Sequence, residues 1–209
     1  MNKIILLNGP AGSGKDSLGS FLVPKLNKAS IYKFATPIKK AVAAMFNLSP
    51  EEYQFYFETP EGKNNPSPRF FNKTPRQWLI SFSEDFAKVH GGKDVFGKIM
   101  TTNLRPAFAN NMVENVIITD SGFQPEAEAV ISSFRGECEF FLVRIHRNGF
   151  KFDGDSRGYI YLEKDYPNTV RALDIINEEG RIEHAVSKIL AELEWSEDES
   201  PDMFPDDQY

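Results

Sequence analysis

The residues best suited to chemistry stand in a glycine-rich run near the start of the chain. Residues 9–15 read GPAGSGK and fit the pattern G-x-x-x-x-G-K. Glycines let consecutive backbone N–H groups turn toward phosphate oxygens, and the lysine that follows them reaches the terminal phosphates of a nucleotide. The structural alternative is a tight turn between a strand and a helix. We predict a phosphate-binding loop with Lys15 as its catalytic cation. The predicted binding residues are Ala11, Gly12, Ser13, Gly14, Lys15, Asp16 and Ser17.

Asp16 follows this lysine where serine or threonine is usual. A hydroxyl at that position contacts Mg²⁺, and a carboxylate can hold the same ion directly or through water. Ser17 supplies a hydroxyl one residue later and is the competing ligand. The alternative is that Asp16 only complements the positive end of a helix dipole. The expected cofactors are ATP and Mg²⁺, with Asp16 or Ser17 at the metal.

Asp120 ends a second apolar run, VIIT at residues 116–119. Ligands of open α/β sheets bind at the carboxyl ends of the strands, so Asp120 is a candidate for organising Mg²⁺ water or an acceptor phosphate. The alternative is a cap for the helix that Pro125 opens. Ser121 follows instead of a second acid, which disfavours a motor-type ATPase.

Three arginines lie in or beside a polar stretch at residues 146–166. Arg144, Arg147 and Arg157 are candidate catalytic residues, because guanidinium groups stabilise the charge of a migrating phosphoryl group. A loop that closes over the nucleotide would also exclude water. We predict a lid at about residues 146–166 that brings at least one of these arginines to the reaction. The alternative is a solvated charged loop.

Strand-like apolar runs alternate with helical patterns, which is typical of an α/β fold with a parallel sheet. Predicted strands cover residues 4–7, 30–34, 116–120, 140–145 and 172–176. Predicted helices cover residues 16–26, 37–46, 95–104, 125–133 and 182–193. With the glycine loop after the first strand, this order predicts a three-layer P-loop NTPase fold.

Residues 48–73 change in character, with four prolines and many aromatic residues, and are predicted to form an irregular arm. The aromatic residues at 53–57 and 70–71 either stack on a base or anchor this arm, and anchoring is the simpler interpretation. A capped helix should follow, because Thr74 is an N-cap residue and Gln77 stands three positions later. The side chains expected to face the core from this helix are Trp78, Leu79, Phe82 and Phe86.

Charge and composition bound the class of protein. The 209 residues carry 24 basic and 30 acidic side chains, and six of the acids lie in residues 196–209, so the rest of the chain is neutral. This balance disfavours a binder of nucleic acid polymers, which needs a basic surplus. The apolar runs are too short to span a membrane or to form a signal peptide, and the single Cys138 excludes an internal disulfide. We expect a cytoplasmic globular protein with an acidic, disordered tail.

Several segments, taken in order, resemble the phage-type deoxynucleoside monophosphate kinase family. SGKDS at residues 13–17 is similar to its S-G-K-D-[ST] loop, and FATPIK at 34–39 to its F-A-x-P-[LI]-K segment. TPR at 74–76 with Glu84 and Asp94 resembles its P-R…E…D block. IITD at 117–120, followed by Phe123 and EAE at 126–128, resembles I-I-T-D-x-R-F-x-x-E-A-E, and DIIN at 174–177 resembles D-x-x-I-x-N.

The resemblance implies a kinase domain over residues 1–195, with a small helical acceptor-binding insertion at about 36–110. It implies transfer of the γ-phosphoryl group of ATP to a (deoxy)nucleoside monophosphate. If the protein is phage-encoded, the reaction is expected in the host cytoplasm. A homodimer is compatible with this reading. The acceptor-side residues it implies are Phe34, Lys39, Arg76, Glu84 and Lys88.

The sequence departs from the family pattern in three places. Gly122 stands at an arginine position, Lys88 is the cation nearest to Glu84 where the family has an arginine, and a late His-x-Ser-Glu segment is absent, with Arg157 near that place. Three other functions stay open. They are a P-loop kinase of another small metabolite, a nucleotide-binding regulatory protein without transfer activity, and an ATPase.

Overall fold

Five parallel strands form one sheet in the order β2-β3-β1-β4-β5. The central strands β1 and β3 are built on runs of branched apolar residues, which parallel sheets bury on both faces. Along β1, for example, Ile4 pairs with Val116 of β3 and with Phe140 of β4. The strands are β1 (Asn2–Asn8), β2 (Ala29–Tyr32), β3 (Asn115–Ser121), β4 (Cys138–His146) and β5 (Val170–Ile176).

Helices cover both faces of this sheet, and alternate residues of β1 divide the core. Ile4 and Leu6 lie in a large cluster with helices of the β2–β3 connection, whereas Ile5 and Leu7 lie in a second cluster with the first and last helices. The helices are α1 (Lys15–Leu22), α2 (Thr36–Met45), α3 (Pro50–Tyr53), α4 (Pro60–Asn64), α5 (Pro75–Ser81), α6 (Lys88–Gly91), α7 (Val95–Ala109), α8 (Gln124–Phe134), α9 (Leu162–Asp165) and α10 (Ile182–Glu194). The predicted three-layer α/β fold is therefore confirmed.

The prediction of an irregular arm at residues 48–73 is wrong. This segment contains α3, a π-helical turn at Gln54–Glu58, α4 and a 3₁₀ turn at Pro68–Phe70. Pro50, Pro60 and Pro68 open three of these short helices, where the missing N–H costs nothing, and the residue before each of them caps the helix. Phe57 and Phe70 are almost completely buried, which supports the anchoring interpretation of the aromatic residues.

The capped helix after Thr74 is confirmed. The Thr74 hydroxyl accepts from the backbone N–H of Gln77, and the Gln77 side chain accepts from the backbone N–H of Thr74. The helix passes into a π-helical turn at Phe82–Ala87, so the helical spacing no longer holds. Phe86 is consequently 55% exposed, and its predicted place in the core is wrong.

The computed structural model describes residues 1–153 and 156–194. The predicted acidic tail at 196–209 lies outside the described residues. Among the helices in the described ranges, none is long and apolar enough to cross a membrane.

Candidate functional site

The glycine run forms a loop whose backbone opens toward the start of α1. Gly12 and Gly14 have φ angles of 78° and 95°, which other L-residues rarely adopt. No side chain caps α1 at Gly14, so the first N–H groups of the helix remain open to an anion. Asn177, after β5, braces the loop, since its Nδ2 donates to the carbonyl oxygen of Ser13 at 2.8 Å. These features fit the phosphates of a nucleotide.

Lys15 is buried against the loop that it follows. Its Nζ donates to the carbonyl oxygens of Gly9 at 2.7 Å and Pro10 at 2.6 Å. These are ordinary carbonyl acceptors, and the oxygens of a phosphate are stronger, charged acceptors for the same ammonium group. The loop therefore holds its cation next to the space between the glycine amides.

Asp16 projects across the sheet edge toward β3 and the end of β2. Its Oδ1 accepts from Thr119 Oγ1 at 2.7 Å and pairs with Lys33 Nζ at 2.8 Å. Packing raises the pKa of Asp16, but the hydrogen bonds from Lys33 and Thr119 outweigh it, and the net pKa lies below 3.8. The group is therefore an ionised carboxylate at neutral pH.

Both contacts of Asp16 are to Oδ1, and Ser17 beside it is exposed. A carboxylate and a hydroxyl are the oxygen ligands that Mg²⁺ uses when phosphates and water complete its shell. Within the described residues no three His, Cys, Asp or Glu side chains form a metal cage. The site thus fits a metal brought by phosphates and held by one or two protein oxygens.

Asp120 holds the entrance of α2. Its two carboxylate oxygens accept from the backbone N–H groups of Phe34 at 2.8 Å and Ala35 at 2.9 Å. The alternative reading, a cap of α8, is wrong, because no side chain caps that helix at Phe123. Burial raises the pKa of Asp120 against the effect of these two bonds. Phe34 is itself buried, and its backbone is thereby fixed beside the sheet edge.

Arg144 does not lie in a lid. It belongs to β4, is 6% exposed, and its guanidinium bonds Asp174 at 2.7 Å and Glu163 at 2.8 Å. It also donates to the carbonyl oxygen of Ile160 at 3.3 Å. Arg144, one of the three candidate lid arginines, therefore ties β4 to β5 and α9.

Arg147 follows the end of β4 and contacts the glycine loop. Its Nη1 donates to the carbonyl oxygen of Gly12 at 3.1 Å, and its guanidinium lies over the ring of Phe150. The same Phe150 ring packs directly on the α-carbon of Gly12. Of the three arginines, Arg147 is thus the one that contacts the loop.

Arg157 reaches the opposite side of the sheet edge and packs on Gly122. Asn8, at the end of β1, fixes the following segment: its Nδ2 donates to the carbonyl oxygens of Ser121 at 2.9 Å and Gly158 at 3.0 Å. Its Oδ1 accepts from the backbone N–H of Ile160 at 3.2 Å. The two predicted lid residues therefore contact different segments: Arg147 contacts the glycine loop at Gly12, and Arg157 packs on Gly122 after β3.

The helices between β2 and β3 gather further cations. Lys39 of α2 is buried and pairs with Glu58 at 2.6 Å, and Arg76 of α5 bonds Asn64 of α4 at 2.8 Å. Between them lies Lys63, whose electrostatic neighbours are Lys39, Arg76, Glu58 and Arg157. Sequence reasoning missed Lys63 because it assigned residues 48–73 to an irregular arm.

Glu84 and Lys88, which the resemblance implies on the acceptor side, form an ion pair with each other. Lys88 Nζ bonds Glu84 at 2.7 Å and stands 3.7 Å from the centre of the Phe123 ring. Lys33 was also missed, because the sequence analysis placed it inside the strand predicted at 30–34, whereas β2 ends at Tyr32 and leaves Lys33 just beyond it. Lys39, Arg76 and Arg157 therefore all lie near enough to Lys63 for their charges to lower its pKa, whereas Glu84 and Lys88 lie beside Phe123 at the start of α8.

Comparison with protein families finds no matching family model. No curated protein is significantly similar in sequence. Among solved structures, the chain is similar to the tunicamycin resistance protein of Deinococcus radiodurans, with 12% identity, 94% of this chain and 98% of that one covered, and a TM-score of 0.48.

Two kinases of known structure are similar at comparably low sequence identity. Shikimate kinase from Bacteroides thetaiotaomicron has 17% identity, covering 93% of this chain and 100% of that one, with a TM-score of 0.44. Thymidylate kinase from Candida albicans has 13% identity, covering 92% and 91%, with a TM-score of 0.41. At these identities we infer neither activity nor substrate from the similarity.

Proposed function

We propose that this protein transfers the γ-phosphoryl group of ATP·Mg²⁺ to a (deoxy)nucleoside monophosphate. The supporting feature is a pair of positively charged groups of residues, each suited to binding an anion. The first is the loop that ends in Lys15. The second, named here the cation cluster, consists of Lys39, Lys63, Arg76 and Arg157.

A continuous series of charges connects the two sites. Asp16, beside Lys15, pairs with Lys33 at 2.8 Å. Lys33 has Glu58 as an electrostatic neighbour, and Glu58 pairs with Lys39 of the cation cluster at 2.6 Å. Two of these links are ion pairs and the third is an electrostatic influence of Glu58 on Lys33, which supports a donor on the loop and an acceptor on the cluster as neighbours.

The positive charge around Lys63 supports the proposal. Burial, followed by the charges of Lys39 and Arg76, lowers the pKa of Lys63 to about 8. Glu58 is the one acidic group among its named neighbours, and it is already paired with Lys39. A cluster with excess positive charge is the environment that a bound phosphate group stabilises.

The reaction needs positioning more than proton transfer. An acceptor phosphate oxygen is already ionised at neutral pH, so no general base is required. ATP·Mg²⁺ supplies the electrophilic phosphoryl group when bound. The loop amides and Lys15 would hold its phosphates, Asp16 or Ser17 would hold the metal, and the cation cluster would align the acceptor. Arg147, bonded to the loop at Gly12, would stabilise the migrating charge.

The test is coupled ADP release with ATP and Mg²⁺ against a panel of ribo- and deoxynucleoside monophosphates. Lys15→Ala should abolish turnover, since it removes the cation of the loop. Lys25→Ala, ten residues later and exposed, is the matched control and should retain activity.

Each alternative function gives a distinct result in this assay. ADP release that needs no acceptor would indicate an ATPase. ATP binding without turnover on any nucleoside monophosphate would overturn the proposal. It would then favour another phosphorylated or hydroxylated acceptor, or a regulatory protein that only senses nucleotides.

A further inference from the structure

Glu126, in the first turn of α8, is a buried residue whose carboxyl group has no hydrogen-bond partner within residues 1–153 and 156–194. Its exposed fraction is 3%, and no hydrogen bond to its side chain occurs among the residues that the structure describes. Asp120 nearby accepts two backbone N–H bonds. Among the described residues, the fully buried side-chain atoms without a partner are Ser121 Oγ and Glu163 Oε2. The oxygens of Glu126 are not among them, so its unpaired carboxyl group keeps some accessible surface at which a ligand can form hydrogen bonds.

The surroundings of Glu126 place it on the acceptor side. Its electrostatic neighbours are Lys88 and Glu84 of the helical insertion, Asp120 at the end of β3, and Arg157 of the cation cluster. Its backbone is fixed, because its carbonyl oxygen packs on the α-carbon of Gly97 in α7. The carboxyl therefore stands where the insertion, the sheet edge and the cluster meet.

The protonation state of this group defines what it can bind. Burial is the largest effect and raises the pKa of Glu126 to about 8; Lys88 and Arg157 oppose the shift, and Asp120 and Glu84 support it. At neutral pH the side chain is thus an uncharged carboxylic acid, with one O–H donor and one carbonyl acceptor side by side. Burying it in this form avoids the cost of an unpaired charge.

We propose that Glu126 binds the nucleobase of the acceptor through one donated and one accepted hydrogen bond. This inference rests on the proposed function. Arg157 neighbours both Lys63 and Glu126, so the phosphate end and the carboxyl end of the site are connected through one side chain. Every nucleobase presents an adjacent donor and acceptor on its pairing edge, which a neutral carboxyl complements.

Two substitutions separate hydrogen bonding from packing. Glu126→Leu keeps an apolar side chain in the buried position but removes both hydrogen bonds, and should raise the acceptor KM by about ten- to a hundredfold, as losing paired polar contacts does. Glu126→Gln keeps one donor and one acceptor and should stay within about threefold at pH 7. The KM for ATP should not change in either variant. Glu128→Gln, two residues along α8, is the matched control and should behave as wild type.

The pH dependence gives a readout that a structural role would not produce. With a pKa near 8, only about one-tenth of Glu126 stays protonated at pH 9. The acceptor KM of the wild type should therefore rise about tenfold relative to Glu126→Gln between pH 7 and pH 9. Lys63 titrates in both proteins, so their ratio isolates Glu126. Ribose 5-phosphate, which has no base, should bind all variants equally.

The outcomes distinguish this inference from the proposed function. Turnover with unchanged acceptor KM in Glu126→Leu would overturn the role of Glu126 and leave the kinase intact. If the wild type turns over no monophosphate, calorimetric titration with the same nucleotides measures binding directly and tests the role of Glu126. Weaker binding by folded Glu126→Leu would support the role, and equal or absent binding would overturn it. Circular dichroism verifies the fold, and Glu126→Gln provides the isosteric comparison.

Discussion

The side chain of Arg157 lies so close to Gly122 that a β-carbon there would stand 2.6 Å from its Cδ atom. Position 122 is where the resembled kinase family has an arginine. In this chain the space above the end of β3 is filled by an arginine from a distant segment, held in place through Asn8 and Gly158. The positive charge beside the end of β3 is therefore supplied by Arg157, from a distant segment, and not by residue 122.

Gly122→Ala should displace Arg157 and weaken acceptor binding. The added β-carbon overlaps the aliphatic stem of Arg157, so the guanidinium must leave the cation cluster. We expect the acceptor KM to rise about tenfold, the effect of losing one charged contact, with little change in the KM for ATP. Steady-state kinetics with the preferred monophosphate measure this.

Gly158→Ala provides the control for that experiment. A β-carbon at Gly158 meets open space, although the residue adjoins Arg157. Its kinetics should match the wild type. Equal effects of the two alanines, or none from Gly122→Ala, would contradict a role for Arg157 in acceptor binding.

Titration with Mg²⁺ should separate Asp16 from Ser17. Asp16 is ionised, because hydrogen bonds from Lys33 and Thr119 hold its pKa below 3.8 despite its packing. Asp16→Asn keeps the shape and the Thr119 bond but loses the charge, and should raise the Mg²⁺ concentration for half-maximal activity about tenfold. Ser17→Ala should change it less than about twofold. The reverse pattern would assign the metal to Ser17.

The strand–loop–helix order was predictable because buried strands and glycine loops are local patterns. Residues 4–7 and 116–120 are continuous apolar runs, and both became neighbouring strands of the sheet. The capping box at Thr74 is equally local. The short helices at 48–73 were missed since each has only a single turn, which gives no periodicity to recognise.

The partners of charged side chains were not predictable in the same way. Arg144 and Arg147 are three residues apart, yet one ties β4 to Asp174 while the other reaches Gly12. The difference arises from strand alternation and from where β4 ends, which sequence spacing does not define. Glu126 illustrates the same point, because only the packing of α7 on α8 shows that it is buried.

Arg144→Met should lower stability more than activity. The change removes the charged hydrogen bonds of Arg144 to Glu163 and to the half-exposed Asp174, which costs about 2 kcal/mol, or about 4–8 °C in Tm for a chain of this size. Arg105→Met is the matched control, because its pair with Glu137 is exposed and should cost under about 1 kcal/mol. Thermal unfolding and kcat at 25 °C check both.

The stabilising effect of Arg144 should also depend on pH. Its hydrogen bonds hold the pKa of Asp174 below 3.8, so Asp174 contributes stability that is complete above that pH and is lost as pH falls through the lower folded value. The Tm difference between the wild type and Arg144→Met should therefore shrink in acid. A constant difference, or a large loss of kcat with unchanged Tm, would instead favour a catalytic role for Arg144.

Acceptor binding should take up protons at pH 8. Burial, Lys39 and Arg76 lower the pKa of Lys63 to about 8, so about half of Lys63 is neutral in the free protein at that pH. A phosphate dianion in the cation cluster raises this pKa, and the monophosphate itself is already ionised, so the proton comes from the buffer. Glu126 also contributes to this proton uptake, because its neutral form is the one that binds the acceptor.

Calorimetry in buffers of different ionisation enthalpy measures this uptake directly. Lys63→Met should reduce it by about half a proton and weaken binding. Lys98→Met, whose side chain is 63% exposed beside Asp94, should leave it unchanged. Since Glu126 remains in Lys63→Met, the two residues contribute separately. Undiminished uptake in Lys63→Met would mean that the acceptor phosphate lies away from the cation cluster, because a dianion beside Lys63 must shift its protonation.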